Sequence, residues 1–224
     1  RNHEKFKNNA KVDWKDRKKK LSKIINEAKI NAKKNKSSYD CIIPVSGGKD
    51  STFQVWYLKK YYNIKPLLVS FNHCFNTSSG NENLKNLIKV SGFDHIRFTA
   101  GLESVKKISL YMLKTVGDIT WHYHAGIRTY PMKLAVEKKI PLVIWGEHGF
   151  SQLTGLVSIN EFVEYTKWSR LEHDMRGIEA EDLIGKNGIT INDIHPYIYP
   201  KQNEVMSTDL RGIYLGNFVE WDYK

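Results

Sequence analysis

The feature that most constrains the fold is an apolar segment that leads directly into a glycine-containing turn and then into a helical pattern. Residues 39–45 have the apolar character of a buried strand, Ser-Gly-Gly-Lys-Asp-Ser occupies positions 46–51, and residues 52–62 have the apolar spacing of a helix. Short apolar segments and longer helical ones then alternate along the chain. This alternation predicts βαβ units and therefore a parallel sheet.

The same patterns predict the order of the elements. The predicted strands are 39–45, 65–72, 95–99, 142–145 and 213–215, and the predicted helices are 13–34, 52–62, 81–91, 102–116, 130–139 and 159–170. We expect an α/β fold with a parallel, doubly wound sheet of about five strands, an N-terminal basic helix capped by Asp13, and a C-terminal appendage. The predicted portions are a basic helical arm (1–36), a core (37–150) and a C-terminal part (151–224) that completes the same domain. Since right-handed crossovers bring the loops after parallel strands to one edge, a ligand is expected there.

Composition narrows the class of protein. Apolar residues make up 41% and aromatic residues 12% of the 224 positions, which is enough for a packed core and excludes a mainly disordered chain. The apolar runs 66–71 and 140–145 are far shorter than the roughly 20 residues of a membrane-spanning helix. Residues 1–36 lack the apolar region of a signal peptide. We therefore expect a cytoplasmic protein with no membrane partner.

The charge is distributed unevenly along the sequence. The net charge is +11, but residues 1–36 hold fourteen Lys and Arg against four acids, whereas the remainder holds twenty-one against twenty. A nearly neutral body argues against an extended phosphate-binding groove across it, which disfavours nucleic acid as a partner. We interpret the basic arm as a solvated helix face, with contact to nucleic acid or to an acidic partner as the alternative.

The turn at 46–51 combines the residue types of a phosphate-binding site. Its two glycines permit a tight turn with exposed backbone N–H groups, and the helix that follows adds the positive end of its dipole. Its two serines offer hydroxyl donors, Lys49 a mobile positive charge, and Asp50 a carboxylate that can orient a magnesium ion. The spacing is not that of Walker A. The alternative is a glycine turn that only joins the strand to the helix.

The string at 46–51 resembles the signature of the PP-loop ATP pyrophosphatases, which cleave ATP between its α and β phosphates. Segments 140–147, 166–177 and 211–218 resemble the N-acetyl sugar amidotransferases, and this second resemblance covers most of residues 39–221. It implies ATP and Mg²⁺ as cofactors, and an acetamido sugar nucleotide or a sialic-acid-like sugar as substrate. The implied product is an acetamidino sugar for surface polysaccharide or flagellin glycans, with ammonia from a separate glutaminase subunit.

The predicted ATP site combines the turn with the ends of neighbouring strands. Lys49 and Asp50 are the predicted catalytic residues, and Asp50 and Glu147 the predicted magnesium ligands. The predicted ATP-binding residues are Val45, Ser46, Gly47, Gly48, Lys49, Asp50, Ser51, Ser70, Phe71, Asn72, Gly146 and Glu147. A solvated loop carboxylate is the alternative for Glu147. The superfamily resemblance implies that adenine is read by backbone groups near Asn72 and His73.

Other polar residues are candidates for binding the substrate. Arg128, His173 and Arg176 are the predicted substrate contacts. A surface arginine is the alternative for Arg128, and a salt-bridge network is the alternative for the charged segment 172–176. For His122 and His124 we favour ordinary loop histidines over a metal pair, because residues at i and i+2 share a face only in an extended segment.

The sequence offers no evident glutaminase nucleophile. Cys41 lies in the first predicted strand as an inert core residue, and Cys74 follows the second strand without a CxxC arrangement. Ammonia is therefore expected from solution or from a separate subunit. Two rival functions remain open: a PP-loop tRNA-modifying enzyme of the thiolation or lysidine type, with the basic arm contacting RNA, and a non-catalytic nucleotide-binding module.

Overall fold

A five-stranded parallel sheet forms the centre of the protein. The structure is a computed structural model that describes residues 12–73, 75–146, 162 and 164–220. The strands are β1 (Cys41–Pro44), β2 (Pro66–Asn72), β3 (His95–Thr99), β4 (Leu142–Trp145) and β5 (Arg211–Tyr214). They lie in the order β3-β2-β1-β4-β5, and every neighbouring pair is parallel. The predicted α/β fold with a five-stranded parallel sheet is confirmed.

Helices connect the strands and cover both faces of the sheet. They are α1 (Trp14–Lys34), α2 (Lys49–Tyr62), α3 (Ser78–Ser91), α4 (Leu102–Val116), α5 (Trp121–Glu137), α6 (Lys167–His173), α7 (Ile191–Ile194) and α8 (Gln202–Ser207). Short 3₁₀ segments cover Ala180–Leu183, Lys186–Gly188, His195–Tyr197 and Leu215–Asn217. In the described ranges, no helix combines the length and the apolar character that crossing a membrane requires.

The two faces of the sheet carry separate cores. Successive strand residues point to opposite faces, so Cys41 and Ile43 of β1 face one way and Ile42 the other. The first face packs against α1, α2 and α3. The second face packs against α5 and, beyond Phe71, against α4 and the segments that follow α6. Helices on both faces make the fold doubly wound, as predicted.

Helix α1 is an integral part of the first face. Its side chains Leu21, Ile25 and Ala28 are buried in the core there, while most of its lysines remain on the outer side. Asp13 caps the helix as predicted, since its Oδ1 accepts a hydrogen bond of 2.9 Å from the Asp16 N–H. The basic helix therefore forms a layer with α2 and α3, and its solvated face is the outer one.

Several predicted boundaries differ from those observed. Helix α2 begins at 49 instead of 52 because Gly48 is its N-cap, and α3 begins at 78 instead of 81 because the Thr77 side chain accepts a bond from the Gly80 N–H. Helix α6 covers 167–173 where 159–170 was predicted; residues 159–161 and 163 lie outside the described residues. In each case the local cap, rather than the apolar spacing, decides where the helix begins.

The largest difference between a predicted and an observed helix boundary is at the start of α5. The prediction was a helix over 130–139, but the helix extends over Trp121–Glu137. Its residues are buried on several sides, among them Trp121, Ala125 and Ala135, so the segment has no amphipathic period to detect. The prediction that His122 and His124 are loop histidines is therefore wrong, because both lie in the first turn of α5.

The packing of α1 generates a prediction about stability. Ile25 is 1% exposed, whereas Ile30, five residues further along the same helix, is 66% exposed. We expect Ile25→Ala to lower the free energy of unfolding by about 2–5 kcal/mol, because it leaves a cavity in the first-face core. Ile30→Ala is the matched control and should change it by less than about 0.5 kcal/mol. Urea unfolding followed by circular dichroism measures both, and equal losses would show that α1 does not belong to the core.

Candidate nucleotide-binding site

The turn after β1 is fixed to β2 by its backbone. The Val45 N–H donates to the Val69 carbonyl over 2.8 Å, and the Val45 carbonyl accepts a bond of 2.7 Å from the Ser70 hydroxyl. His95 Nε2 lies 2.9 Å from the same hydroxyl. These bonds hold the chain in place up to the point where the turn begins.

Gly47 fits its position only because it has no side chain. Its φ is +82°, a left-handed conformation that favours glycine, and a Cβ atom there would overlap the Gly80 carbonyl oxygen in the first turn of α3. The turn therefore packs directly against the backbone of α3.

Gly48 and the serines organise the start of α2. The Ser51 hydroxyl donates to the Gly48 carbonyl over 3.0 Å, and the Ser46 N–H donates to the Ser51 hydroxyl over 3.4 Å. Lys49 Nζ lies 3.1 Å from Asp50 Oδ1, and the two side chains are 68% and 43% exposed. The first turn of this fourteen-residue helix thus presents backbone N–H groups, the positive end of a dipole and one lysine.

The turn lies where the strand order reverses. β1 stands between β2 and β4, and the connections leave it in opposite directions, which opens a crevice at the carboxyl ends of these strands. Asn72 ends β2, and Gly146 follows β4, where its carbonyl accepts a bond of 2.9 Å from the Gly216 N–H. The fold thus brings the turn, Asn72 and Gly146 to one edge. Glu147 lies outside the described residues.

A cavity of ≈ 230 Å³ opens beside the turn. Six of the predicted ligand-binding residues line it: Val45, Ser46, Ser70, Phe71, Asn72 and Arg128. Further lining residues include His73, Asn76, Asn81, Arg97, Tyr123 and Trp145. The described lining residues include two arginines and no carboxylate, so the cavity favours an anionic ligand.

One wall of the cavity depends on a second glycine contact. The Phe71 ring lies directly against Gly126 of α5, where a Cβ atom would overlap the ring. Phe71 also packs against the rings of Phe98 and Tyr130, at centroid distances of 5.4 and 6.1 Å. Through Phe71, this aromatic wall is continuous with the core of the second face.

Arg97 is a cavity residue that sequence reasoning missed. Its guanidinium donates to the Asn72 side-chain oxygen and, over 2.9 Å, to that of Asn81 on α3. It also affects two histidines: burial, together with the nearby Arg97 charge, lowers the pKa of His73 and of His95. At neutral pH the positive charge of this wall therefore comes from the arginine. β3 is a half-exposed edge strand, and its pattern does not single out Arg97.

Arg128 is held at the other side of the cavity. Its Nε lies 3.2 Å from Asp174 Oδ1, and its backbone carbonyl accepts a bond of 3.2 Å from the Tyr165 hydroxyl. Burial alone would lower the pKa of Arg128, but Asp174, with Tyr214 and Tyr165, outweighs it and raises the pKa above its usual value. The side chain is 20% exposed. Arg128 is thus a charged, positioned group that faces the cavity.

The other charged candidates lie away from the cavity. Arg176 Nε pairs with Asp118 Oδ2 over 3.3 Å, and the His173 ring packs edge-on against Trp168. Neither residue lines the cavity. Within the segment 172–176, Asp174 pairs with Arg128, which lines the cavity. The segment thus contributes two ion pairs, in keeping with the alternative interpretation of a salt-bridge network.

The histidines of α5 do not form a metal site. His122 is buried, its Nδ1 lies 3.2 Å from the Ser109 hydroxyl, and burial lowers its pKa. Over the described part of the chain, no cluster of three or more His, Cys, Asp or Glu side chains could hold a metal. Of the two predicted magnesium ligands, Glu147 lies outside the described residues and Asp50 stands in the first turn of α2. A magnesium ion held by Asp50 would complete its coordination with oxygen atoms of a bound ligand and of water.

The cysteines offer no reactive thiol among the described residues. Cys41 is fully buried in β1, and burial raises the pKa of its thiol well above the usual value. A thiol in such surroundings is poorly ionised and inert. Cys74 lies outside the described residues.

Comparisons with known proteins give limited similarity. No family model matches the chain. An uncharacterised protein of Methanocaldococcus jannaschii is 34% identical over 70 residues, which are 31% of this chain and about a quarter (25%) of that protein.

Solved structures with a related arrangement share little sequence with this chain. The NMN synthetase of Francisella tularensis has a TM-score of 0.48 and 14% identity, over 88% of this chain and 93% of that one. The NH₃-dependent NAD synthetase of Campylobacter jejuni has a TM-score of 0.45 and 17% identity, over 66% and 62%. The U34-tRNA thiolase of Methanococcus maripaludis has a TM-score of 0.37 and 15% identity, over 82% and 62%.

The glycine turn generates a prediction of its own. Gly47→Ala requires alanine to adopt a left-handed backbone conformation and brings its Cβ atom against the backbone of α3. We therefore expect this variant to lower the free energy of unfolding by about 2 kcal/mol or more and to weaken ATP binding. Gly48→Ala is the matched control for stability: its φ is ordinary, and its Cβ would meet only the Ser46 hydroxyl, at 3.4 Å. Urea unfolding and calorimetric ATP titration measure the two effects. A Gly47 variant as stable as the Gly48 variant would contradict the packing described.

Proposed function

We propose that the protein is an ATP-dependent enzyme that cleaves ATP between the α and β phosphates and adenylates an oxygen of its substrate. The observation that carries this proposal is the glycine turn at the strand-order reversal, directly beside a cavity with two arginines and no described carboxylate. Such a pairing suits a ligand with a flat ring and a polyanionic tail. ATP has both.

The turn and the cavity would bind different parts of ATP. The phosphates would lie at the N-terminus of α2, against Ser46, Gly48 and Lys49, and the base would enter the cavity towards Phe71 and Tyr123. Asp50 would hold Mg²⁺, which neutralises charge on the leaving pyrophosphate when it is bound. Residues 37–150 would thus bind the nucleotide.

The finer proposal is amidotransfer to an acetamido sugar, supported by the resemblance of segments 140–147, 166–177 and 211–218. The amide oxygen of the sugar attacks the α-phosphorus, and the bond to pyrophosphate breaks. Ammonia then attacks the imidate carbon, AMP leaves, and a proton passes to water, which gives an acetamidino group. The protein's contribution is the positioning of two anionic molecules and the stabilisation of the charge that develops.

Arg128 is the best-placed contact for the acceptor. It faces the cavity opposite the Arg97 wall and is oriented by Asp174, which belongs to the C-terminal portion. This link supports the proposal that residues 151–224 complete the substrate side. His173 and Arg176 lie outside the cavity, so any contact they make with the sugar is peripheral to it. We further propose that the enzyme works in the cytoplasm, where ATP is available.

The nitrogen source would be external to the described chain. The buried Cys41 cannot serve as a glutaminase nucleophile, because its thiol is enclosed in β1 and its pKa is raised. Ammonia would come from solution or from a separate glutaminase subunit.

The rival function is a tRNA-modifying enzyme that adenylates a base, and the basic residues of α1 are the observation that favours it. The two functions differ in the acceptor. The test incubates the protein with ATP, ammonium and either UDP-linked acetamido sugars or bulk tRNA, and measures AMP. AMP formation that depends on the sugar supports the proposal, and formation that depends on tRNA alone overturns it.

Variants of the turn test its role in the reaction. Lys49→Ala and Asp50→Ala should each reduce pyrophosphate release by about 10²–10³-fold, because each removes a charge that is positioned for the reacting phosphates. Both side chains are exposed, so the fold should persist. Lys85→Ala, an exposed lysine of α3, is the control and should retain full activity. Normal turnover in either turn variant would show that the turn does not hold the reacting phosphates.

The choice of nitrogen donor gives a pH prediction. With ammonium, AMP formation should rise between about pH 7 and pH 9, because the pKa of ammonium is about 9 and only free ammonia reacts. With glutamine alone, the purified protein should form little AMP at any pH, and a cognate glutaminase should make glutamine effective at pH 7. Efficient turnover with glutamine alone, in a preparation free of glutaminase, would contradict the assignment of the cysteines.

A further inference from the structure

Among the described helices, most of the net positive charge lies on one face of the sheet. Helices α1, α2 and α3, which share the first face, carry fourteen Lys and Arg against four Asp and Glu, a net of +10, of which α1 contributes +7 and α2 and α3 together +3. The second-face helices α4 and α5 carry a net of +3. The charge that the sequence places in an N-terminal arm is thus continuous, in the fold, with the helix that starts at the phosphate-binding turn.

A groove of ≈ 920 Å³ lies between α2 and α3 on this basic face. Its lining is largely apolar and includes Phe53, Trp56, Leu87 and Val90. Trp56 is 47% exposed and Val90 80% exposed. At one end the groove reaches Gly47, Lys49 and Thr52 of the phosphate-binding turn and the first turn of α2.

Lysines border the groove, and one of them links the two helices that form it. Lys59 of α2 also lines the groove, and its Nζ donates to the Ser91 carbonyl at the end of α3 over 2.7 Å, which ties the two helices together. Lys60 lies beside it, with its Nζ 4.8 Å from the centroid of the Trp56 ring. Among the described lining residues there is no carboxylate. The groove therefore combines an apolar floor with a positive border.

This combination suits a protein helix better than a nucleic acid. The Trp56 ring already contacts Lys60 and packs 5.8 Å from the Phe53 ring, so it is a poor platform for stacking a base. Leu87 and Val90 are aliphatic and offer a base no hydrogen bond. An amphipathic helix buries its apolar face in such a groove and can place acidic side chains against the lysines.

We propose that this groove binds an acidic amphipathic helix of a second protein, and that this protein is the subunit that supplies ammonia. The identity of the partner rests on the proposed function. Ammonia must reach the adenylated substrate at the phosphate-binding turn, and the groove ends at that turn. A partner seated in the groove releases ammonia beside the site where it reacts.

The experiment uses the full chain and two charge-introducing variants. Val90→Glu and Lys60→Glu each place a carboxylate in or beside the groove, and the exposed position of Val90 in a helix tolerates Glu. Val116→Glu is the matched control, because Val116 also ends a helix, is 42% exposed and lies on the second face. Circular dichroism checks that all three fold like the parent.

The probes are the glutaminase subunits encoded by the source genome, each purified and titrated singly, with bulk tRNA from the same organism as a separate probe. We expect one glutaminase to bind, with an affinity that falls at higher salt and drops about tenfold or more in Val90→Glu and Lys60→Glu but not in Val116→Glu. Glutamine-driven AMP formation should fall in parallel, and ammonium-driven formation should not change.

The possible results distinguish a failure of the docking proposal from a failure of the proposed reaction. Absence of binding by every glutaminase, binding that the groove variants do not weaken, or tRNA binding that the same variants weaken would overturn the docking proposal. If glutaminase binding shows the expected pattern while neither ammonium nor glutamine supports AMP formation, the reaction is wrong and the groove assignment stands. If ammonium supports AMP formation but the groove variants bind the glutaminase normally, the proposed reaction stands and the groove assignment is wrong.

Discussion

The contact between Gly47 and the backbone of α3 is the constraint on which the rest of the site depends. Because Gly47 lacks a side chain, the turn approaches the Gly80 carbonyl and α2 starts close to α3. That approach places Asn81 in the wall of the cavity and Leu87 in the floor of the groove. One close backbone contact thus sets the geometry of both the candidate nucleotide site and the surface beside it, and a residue larger than glycine would alter the two together.

The sequence correctly predicts those parts of the fold that are determined by residues close together along the chain. Strands β1, β2 and β4 are apolar because they are buried on both faces of the sheet, and the turn at 46–51 concentrates its signals within six positions. Helix α5 escaped prediction because burial on several sides removes its periodicity. Arg97 escaped because its partners, Asn72 and Asn81, are 25 and 16 positions away. Contacts of that kind appear only when the sheet brings the segments together.

The distribution of charge is also a property of the fold. Along the sequence, the excess of lysine belongs to residues 1–36 and the remainder is nearly neutral. In the structure α1 lies in one layer with α2 and α3, so its lysines extend a surface that also carries Lys49, Lys59 and Lys60. A surface of this charge favours the approach of negatively charged ligands and proteins.

The contact between Phe71 and Gly126 has a consequence for how this protein can vary through evolution. The ring at position 71 occupies the volume that a side chain at position 126 would need. A side chain at position 126 therefore requires the ring at position 71 to move or to be replaced by a smaller residue. Homologous chains should fall into two groups, with a large residue at 71 and glycine at 126, or a small residue at 71 and a larger one at 126. Since Phe71 also walls the cavity, the two groups would differ in the shape of the space offered to the ligand.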